Sequence, residues 1–404
     1  MLTRSASSWS RHALPGAIVD ADVASGGLHQ SRVGDTGAEP TELRPLTPVG
    51  KAHRRQRAAH ETSCPLTYHR QTVEDIRGGT KPYLFGGRQQ PECNNCHKTD
   101  THYWARVCTF EPSLEPQYAN ICSAELQQKL LERLLEQDRR ELLELTPCDL
   151  WPMLQGRTTW IVGDSQSRHL YFALLCFLSE FHSLEVANVT ASDEELFGPL
   201  EDNYVPASCL LMPHNTRVCQ FHVNKGETWL RNGFGVLQRV ANPQDVVVVN
   251  FGLWHTFWPE VYTALLRGFA DYYQQHKHHL PGMVWKDTSP QHFPTAFGDF
   301  EGGEAPFDCR PVDQVAQQPD GSLLALSPEY ELVARGGFQN TQAREILGRV
   351  GMPIIDTWND TLPLWDYHSG TPGKDQECTH YCTGSSAPQL WVYAMYKQLK
   401  RMHL

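Results

Sequence analysis

Thr158-Thr159-Trp160-Ile161-Val162-Gly163-Asp164-Ser165-Gln166-Ser167-Arg168 is the stretch on which the fold turns. Thr158 to Val162 is a short β-branched and apolar run, which reads as a strand over 158–162. Gly163-Asp164 breaks it, and an apolar-rich helical pattern runs from Ser165 over 165–180. A strand that passes through Gly-Asp-Ser into a helix leaves Ser165 at the helix start. Backbone amides there lack partners and the helix dipole is positive, which suits an oxyanion. A serine that only caps the helix would occupy the same position.

Far downstream the chain reads Glu377-Cys378-Thr379-His380-Tyr381-Cys382. An acid three residues before a histidine, in a loop, lets one side chain orient the other. Ser165 as nucleophile, His380 as general base and Glu377 as acceptor from the other ring nitrogen compose a serine acyl-transfer triad. Asp375 is an alternative orienting acid. Arg168, one turn beyond Ser165, is placed to reach an oxyanion or a substrate.

From Trp151 onward strands and helices alternate. Further strands are expected at 217–223, 245–250, 282–286 and 352–356, and helices at 258–275 and 386–401. Val246–Val249 is an uninterrupted β-branched run, as in a central strand buried on both faces. The alternation implies an α/β fold with a parallel three-layer sheet and a site at the strands' C-terminal ends. Ser165, Asn250 and Asp287 each follow such an end. Asn250 and the neighbouring Gly252 amide are further oxyanion donor candidates.

Gly163-Asp164-Ser165 with Glu377-x-x-His380 resembles the GDSL/SGNH acyl-esterase superfamily. Within it the chain is most similar to the PC-esterase, or trichome-birefringence-like, group of plant and algal polysaccharide O-acetyltransferases. Three stretches carry that likeness: Arg168 after Gly-Asp-Ser, Asn250-Phe251-Gly252-Leu253-Trp254, and Ser289-Pro290-Gln291-His292-Phe293. The resemblance covers residues 148–404, and Glu377 stands where the group usually has Asp. It implies an SGNH-hydrolase-like three-layer sheet and an acetyl-Ser165 intermediate. An acetyl donor would serve as co-substrate, with no bound cofactor. A polysaccharide or glycan would be the acceptor, and the Golgi the compartment. Trp254, Trp285 and His292 become substrate-contact candidates, since flat aromatic faces suit sugar rings.

The net charge of −11 argues against a nucleic-acid partner. Twelve cysteines and the sequons at Asn188 and Asn359 favour an oxidising compartment with several disulfides. Cys176, within an apolar helix, is expected as a buried free thiol. Residues 1–60 read as a disordered extension without the apolar core of a signal peptide, and no run of eighteen apolar residues marks a membrane anchor. Residues 61–147 read as an irregular cysteine-rich segment followed by an amphipathic helix over 124–145 capped by Ser123. Disulfides suit Cys93 and Cys96 better than zinc or haem, and no metal site is expected. The catalytic domain is 148–404. Two rivals to acetyl transfer stand beside it: an ester hydrolase of the same architecture, and a catalytically silent carbohydrate-binding protein.

Overall fold

The computed structural model describes residues 129–402, apart from 131, 135, 138, 144, 146, 180–184, 189–207, 303–306, 370–375 and 382–386. The expected disordered extension, the cysteine-rich segment, Ser123 and Asp375 lie outside these residues, as do the side chains of Cys176 and Asn188.

A seven-stranded sheet forms the centre, in the order β2-β3-β4-β1-β5-β6-β9. Its strands are β1 (Thr158–Gly163), β2 (Glu185–Asn188), β3 (Ser208–Met212), β4 (Thr216–His222), β5 (Val246–Val249), β6 (Gly282–Lys286) and β9 (Ile354–Ile355). Five of them, β4-β1-β5-β6-β9, run parallel, as the sequence implies. β2 and β3 are antiparallel additions at the β4 edge, so the sheet is mixed. A Cys209–Cys219 disulfide pins β3 to β4.

Side-chain alternation along the strands makes three layers. Ile161, Val246, Val248 and Val284 face one side and pack under α1 (Pro147–Leu154), α2 (Ser165–Ser179) and α6 (Ala387–Arg401). Trp160, Val162, Val247, Val249 and Trp285 face the other, under α3 (Phe234–Val240), α4 (Pro259–His276) and α5 (Gly337–Arg349). All four valines of β5 are buried, each worth about 1.5–3 kcal/mol against exposure. The long helix expected over 124–145 is broken instead. Helix runs through the described residues between 129 and 136, a turn follows at Gln137, and a short helix resumes at Arg140–Leu143.

Strands β7 (Val315–Gln317) and β8 (Leu323–Ala325) form a separate hairpin. So do β10 (His368–Ser369) and β11 (Glu377–Tyr381). Strand order turns back at β1, which lies between β4 and β5. Such a switch point opens a crevice at the strands' C-terminal ends, and Ser165 sits there. Among the described residues no helix is long and apolar enough to cross a membrane. The two described disulfides accord with an oxidising compartment.

Candidate active site

The turn after β1 is built around Gly163 and Asp164. A side chain at Gly163 would meet Ser167 Oγ at 2.3 Å and the Asn250 carbonyl at 2.4 Å, so only glycine lets the β5 loop close on the turn. Asp164 is fully buried, and its Oδ1 accepts from the amides of Gln166 (3.0 Å) and Ser167 (3.3 Å). Asp164 is therefore the helix cap. Ser165, as the first residue of α2, keeps its hydroxyl free for other work.

That hydroxyl meets His380. Ser165 Oγ lies 2.5 Å from Nε2 of His380, across 215 residues of sequence. His380 Nδ1 lies 2.5 Å from Glu377 Oε2. A carboxylate only accepts, so Nδ1 carries the proton and Nε2 is left with a lone pair facing Ser165. The same carboxylate accepts from the backbone amides of Thr379 (2.8 Å) and His380 (2.7 Å). Burial alone would raise the Glu377 carboxyl, but His380 and Thr379 hold it down to about 2. The segment expected as a loop is instead strand β11, along which the carboxylate reaches both the base and the amides of Thr379 and His380. Beneath, Cys378 is bridged to Cys309 and packs with Phe293, Phe300 and Phe307, anchoring β11.

Two proposed oxyanion donors are spent elsewhere. Asn250 is buried and gives both amide hydrogens away, to the Lys286 carbonyl (2.7 Å) and Thr288 Oγ1 (3.0 Å). Its oxygen takes the Gly252 amide at 3.0 Å. Asn250 and Gly252 instead shape the β5 loop, which the Leu253 amide ties to Asp164 at 3.4 Å. Arg168, one turn along α2 from Ser165, is half-buried and keeps its Nε without a hydrogen-bond partner.

The aromatic and histidine candidates separate by burial. Trp254 is 52% exposed on the β5 loop, with exposed Phe257 and Trp258 close in sequence. Trp285 is instead a core residue, edge-on to Phe251 and Phe269, and cannot meet a substrate. His292 is likewise buried: Nε2 bonds the Leu362 carbonyl (2.7 Å) and Nδ1 bonds His368 (2.6 Å). Burial pushes its pKa down to about 4. Its place is in the floor holding β10 and β11, since His368 Nδ1 lies 3.1 Å from the His380 carbonyl.

Two residues of the first turns of α2, Gln166 and His169, also line the site although no sequence motif marks them. Gln166 is buried, accepts from the Ser289 amide (2.9 Å) and donates to the carbonyls of Ser289 (3.2 Å) and Thr379 (3.4 Å). It thereby joins the nucleophile turn, the β6 loop and the base strand. His169 lies against His380, with ring centroids 5.2 Å apart. The available signal was the polar run Gln166-Ser167-Arg168-His169 at the head of an otherwise apolar helix. Among the described residues no cluster of His, Cys, Asp or Glu has the shape of a metal site.

No family model matches the chain, and no curated protein matches it. Among solved structures it is similar to LAE5, an alpha/beta hydrolase enzyme from the metagenome of Lake Arreo, Spain. The identity is 12% and the TM-score 0.32, over 61% of this chain and 96% of that one. It is also similar to Axe2, an acetylxylan esterase from Geobacillus stearothermophilus, at 11% identity and a TM-score of 0.28, over 61% and 94% of the two chains. Overlap at that level carries no weight beside the geometry of the site itself.

Proposed function

We propose that the chain is a serine acyl-transfer enzyme: an O-acetyltransferase moving acetyl groups to polysaccharide hydroxyls, of the PC-esterase-like group and Golgi setting. The observation that carries the reading is the unbroken line from Glu377 through His380 to the Ser165 hydroxyl, with both links at 2.5 Å. Ser165 Oγ attacks the acyl carbonyl while its proton passes to His380 Nε2. The tetrahedral oxyanion falls to the Ser165 amide and Arg168. As the acyl–donor bond breaks, His380 returns the proton to the leaving group, and acetyl-Ser165 remains. His380 then takes the proton of the acceptor hydroxyl, whose oxygen attacks the ester and restores Ser165. Exposed Trp254 offers that acceptor a flat apolar face beside the nucleophile turn.

Hydrolysis is the second reading, and the openness of the site favours it. The side chains of His380 and Glu377 are 30% and 39% exposed, within reach of water. Mass spectrometry of protein incubated with an aryl acetate tests the shared intermediate, which adds one acetyl group at Ser165. Absence of that adduct, in folded protein that also resists fluorophosphonates, refutes acyl transfer. Pre-acylated enzyme with rising concentrations of wall glycan then separates the two readings. Acetylated glycan supports transfer, and free acetate at every concentration supports hydrolysis.

A further inference from the structure

Three segments meet where the reacting side chains meet: the head of α2, the loop after β6, and β11. The loop and β11 hold each other closely. The His292 amide donates to the Cys378 carbonyl at 3.0 Å, Gln291 Nε2 to Thr379 Oγ1 at 2.8 Å, and the Tyr381 hydroxyl to the Pro290 carbonyl at 2.8 Å. The loop is also held from within, since the buried Lys286 Nζ donates to the Asp287 carbonyl (2.8 Å) and to Ser289 Oγ (3.1 Å). β11 thus carries Glu377 and His380 as one body with residues 289–292. Ser165 stands on α2, a separate element, so that body must also be placed against it.

Gln166, the residue after the nucleophile, makes the join. It is buried, and its Oε1 accepts the Ser289 amide at 2.9 Å. That bond fixes which way the carboxamide lies, because only an oxygen can accept an N–H. Nε2 then faces two carbonyls, those of Ser289 (3.2 Å) and Thr379 (3.4 Å), and has one hydrogen for each. A residue one step from Ser165 is therefore bonded to a residue one step from His380.

We infer that Gln166 is a positioning residue: its carboxamide sets the approach of His380 to Ser165 by locking the head of α2 to the β6 loop and to β11 at Thr379. The inference rests on the acyl-transfer reading above. It also divides the two links of the triad. Glu377 and His380 lie on one strand, so their 2.5 Å contact does not depend on Gln166. The 2.5 Å contact between His380 and Ser165 crosses from β11 to α2, and does.

Two variants test this. Gln166→Met keeps the length of the side chain and removes all three bonds. Gln166→Glu keeps an acceptor for the Ser289 amide but turns an oxygen towards the two carbonyls. Aryl acetate turnover and fluorophosphonate labelling of Ser165 are measured well below each thermal midpoint, beside the downfield proton NMR signal of His380 Nδ1–H. Each folded variant is expected to lose about 10- to 100-fold in kcat and in labelling rate, with KM steady, as for reacting groups misplaced by about 1 Å. The Nδ1–H signal is expected to stay, since the Glu377–His380 link is untouched. A folded variant of either kind that labels within about threefold of wild type overturns the inference and leaves acyl transfer standing. So does loss of the Nδ1–H signal in step with the rate, which would mean that β11 itself has come apart. Failure of the wild type to label at Ser165 overturns the acyl-transfer reading and the inference with it.

Discussion

Glu377→Gln asks the sharpest question of the site, because it changes charge and acceptor count while leaving size alone. The carboxylate serves three donors: the Thr379 amide on Oε1, and the His380 amide and Nδ1–H on Oε2. A carboxamide has a single acceptor oxygen and cannot satisfy both ends. Suppose the oxygen stays with His380. The new NH2 group then faces the Thr379 N–H, donor against donor, at a cost of about 1–3 kcal/mol in an unmet pair. The start of β11 loosens and turnover falls by roughly 10- to 100-fold at about 1.4 kcal/mol per decade. Suppose instead that NH2 faces His380. Nδ1 must then accept, the ring proton moves to Nε2, and the lone pair that receives the serine proton is gone. That wrong-tautomer state costs on the order of four decades in a serine triad.

The expected fall in kcat is therefore about 10- to 10⁴-fold, with KM little changed. Glu377→Asp retains the charge but shortens the reach to Nδ1, and is expected between Gln and wild type. The assay is steady-state turnover of an aryl acetate together with the fluorophosphonate labelling rate, on protein shown to be folded by circular dichroism. A folded Glu377→Gln variant within about threefold of wild type would show that Glu377 does not orient the base.

Other expectations follow from the same contacts. The Glu377 carboxyl is held at about 2 in the fold against 4.5 ordinarily. Its contribution is therefore present above about 4.5 and lost as pH falls towards 2, so Glu377→Gln should flatten thermal midpoints across that window. Gly163→Ala, whose added carbon meets the Asn250 carbonyl at 2.4 Å, should either fail to fold or lose activity; a fully active, stable variant would refute that packing. Trp285→Ala should act through stability, at about 3–5 kcal/mol by denaturant titration, whereas Trp254→Ala should leave stability intact and slow acyl transfer to glycan more than aryl acetate hydrolysis. Removing the Cys309–Cys378 bridge, with a separation of 69, should cost more stability than removing Cys209–Cys219, with a separation of 10; loop entropy puts the two at about 4 and about 3 kcal/mol.

The sequence told most where local chemistry and long-range placement agree. Val246–Val249 could only be a strand buried on both faces, and it pairs with β1 and β6 in the centre of the sheet. Gly163-Asp164-Ser165 and Glu377-x-x-His380 are local patterns whose side-chain reach is set by a few backbone bonds, so their mutual approach was legible. What stayed hidden depended on partners distant in sequence. Asn250 looks like a free donor until the Lys286 carbonyl and Thr288 are brought within hydrogen-bond distance. Trp254 and Trp285 have the same chemistry. Trp254 lies in a 3-10 turn beyond β5 and is exposed, whereas Trp285 points from β6 into the core. β2 and β3 carry no strong alternation of their own and gain their definition from pairing with β4. Gln166 is hard to read from sequence for a related reason, since its partners are backbone carbonyls and an amide, which every residue has.

The fate of the acyl group turns on a competition that the triad does not decide. In the proposed reaction His380 would activate water and a sugar hydroxyl by the same proton transfer, so selectivity would come from how often each stands above the ester. Water does so at about 55 M, and the partial exposure of His380 and Glu377 gives it a path. A tenfold preference for sugar then needs an effective molarity of only about 10³ M, well below the 10⁵–10⁸ M that good alignment can supply. Weak but well-aimed binding is therefore enough. Under the proposed transfer, a stacking face on Trp254, next in sequence to the Leu253 whose amide bonds Asp164, would meet that need without a closed pocket. A site open to water is consequently compatible with transfer, provided the acceptor is long enough to lie across the exposed aromatic residues while one of its hydroxyls faces His380.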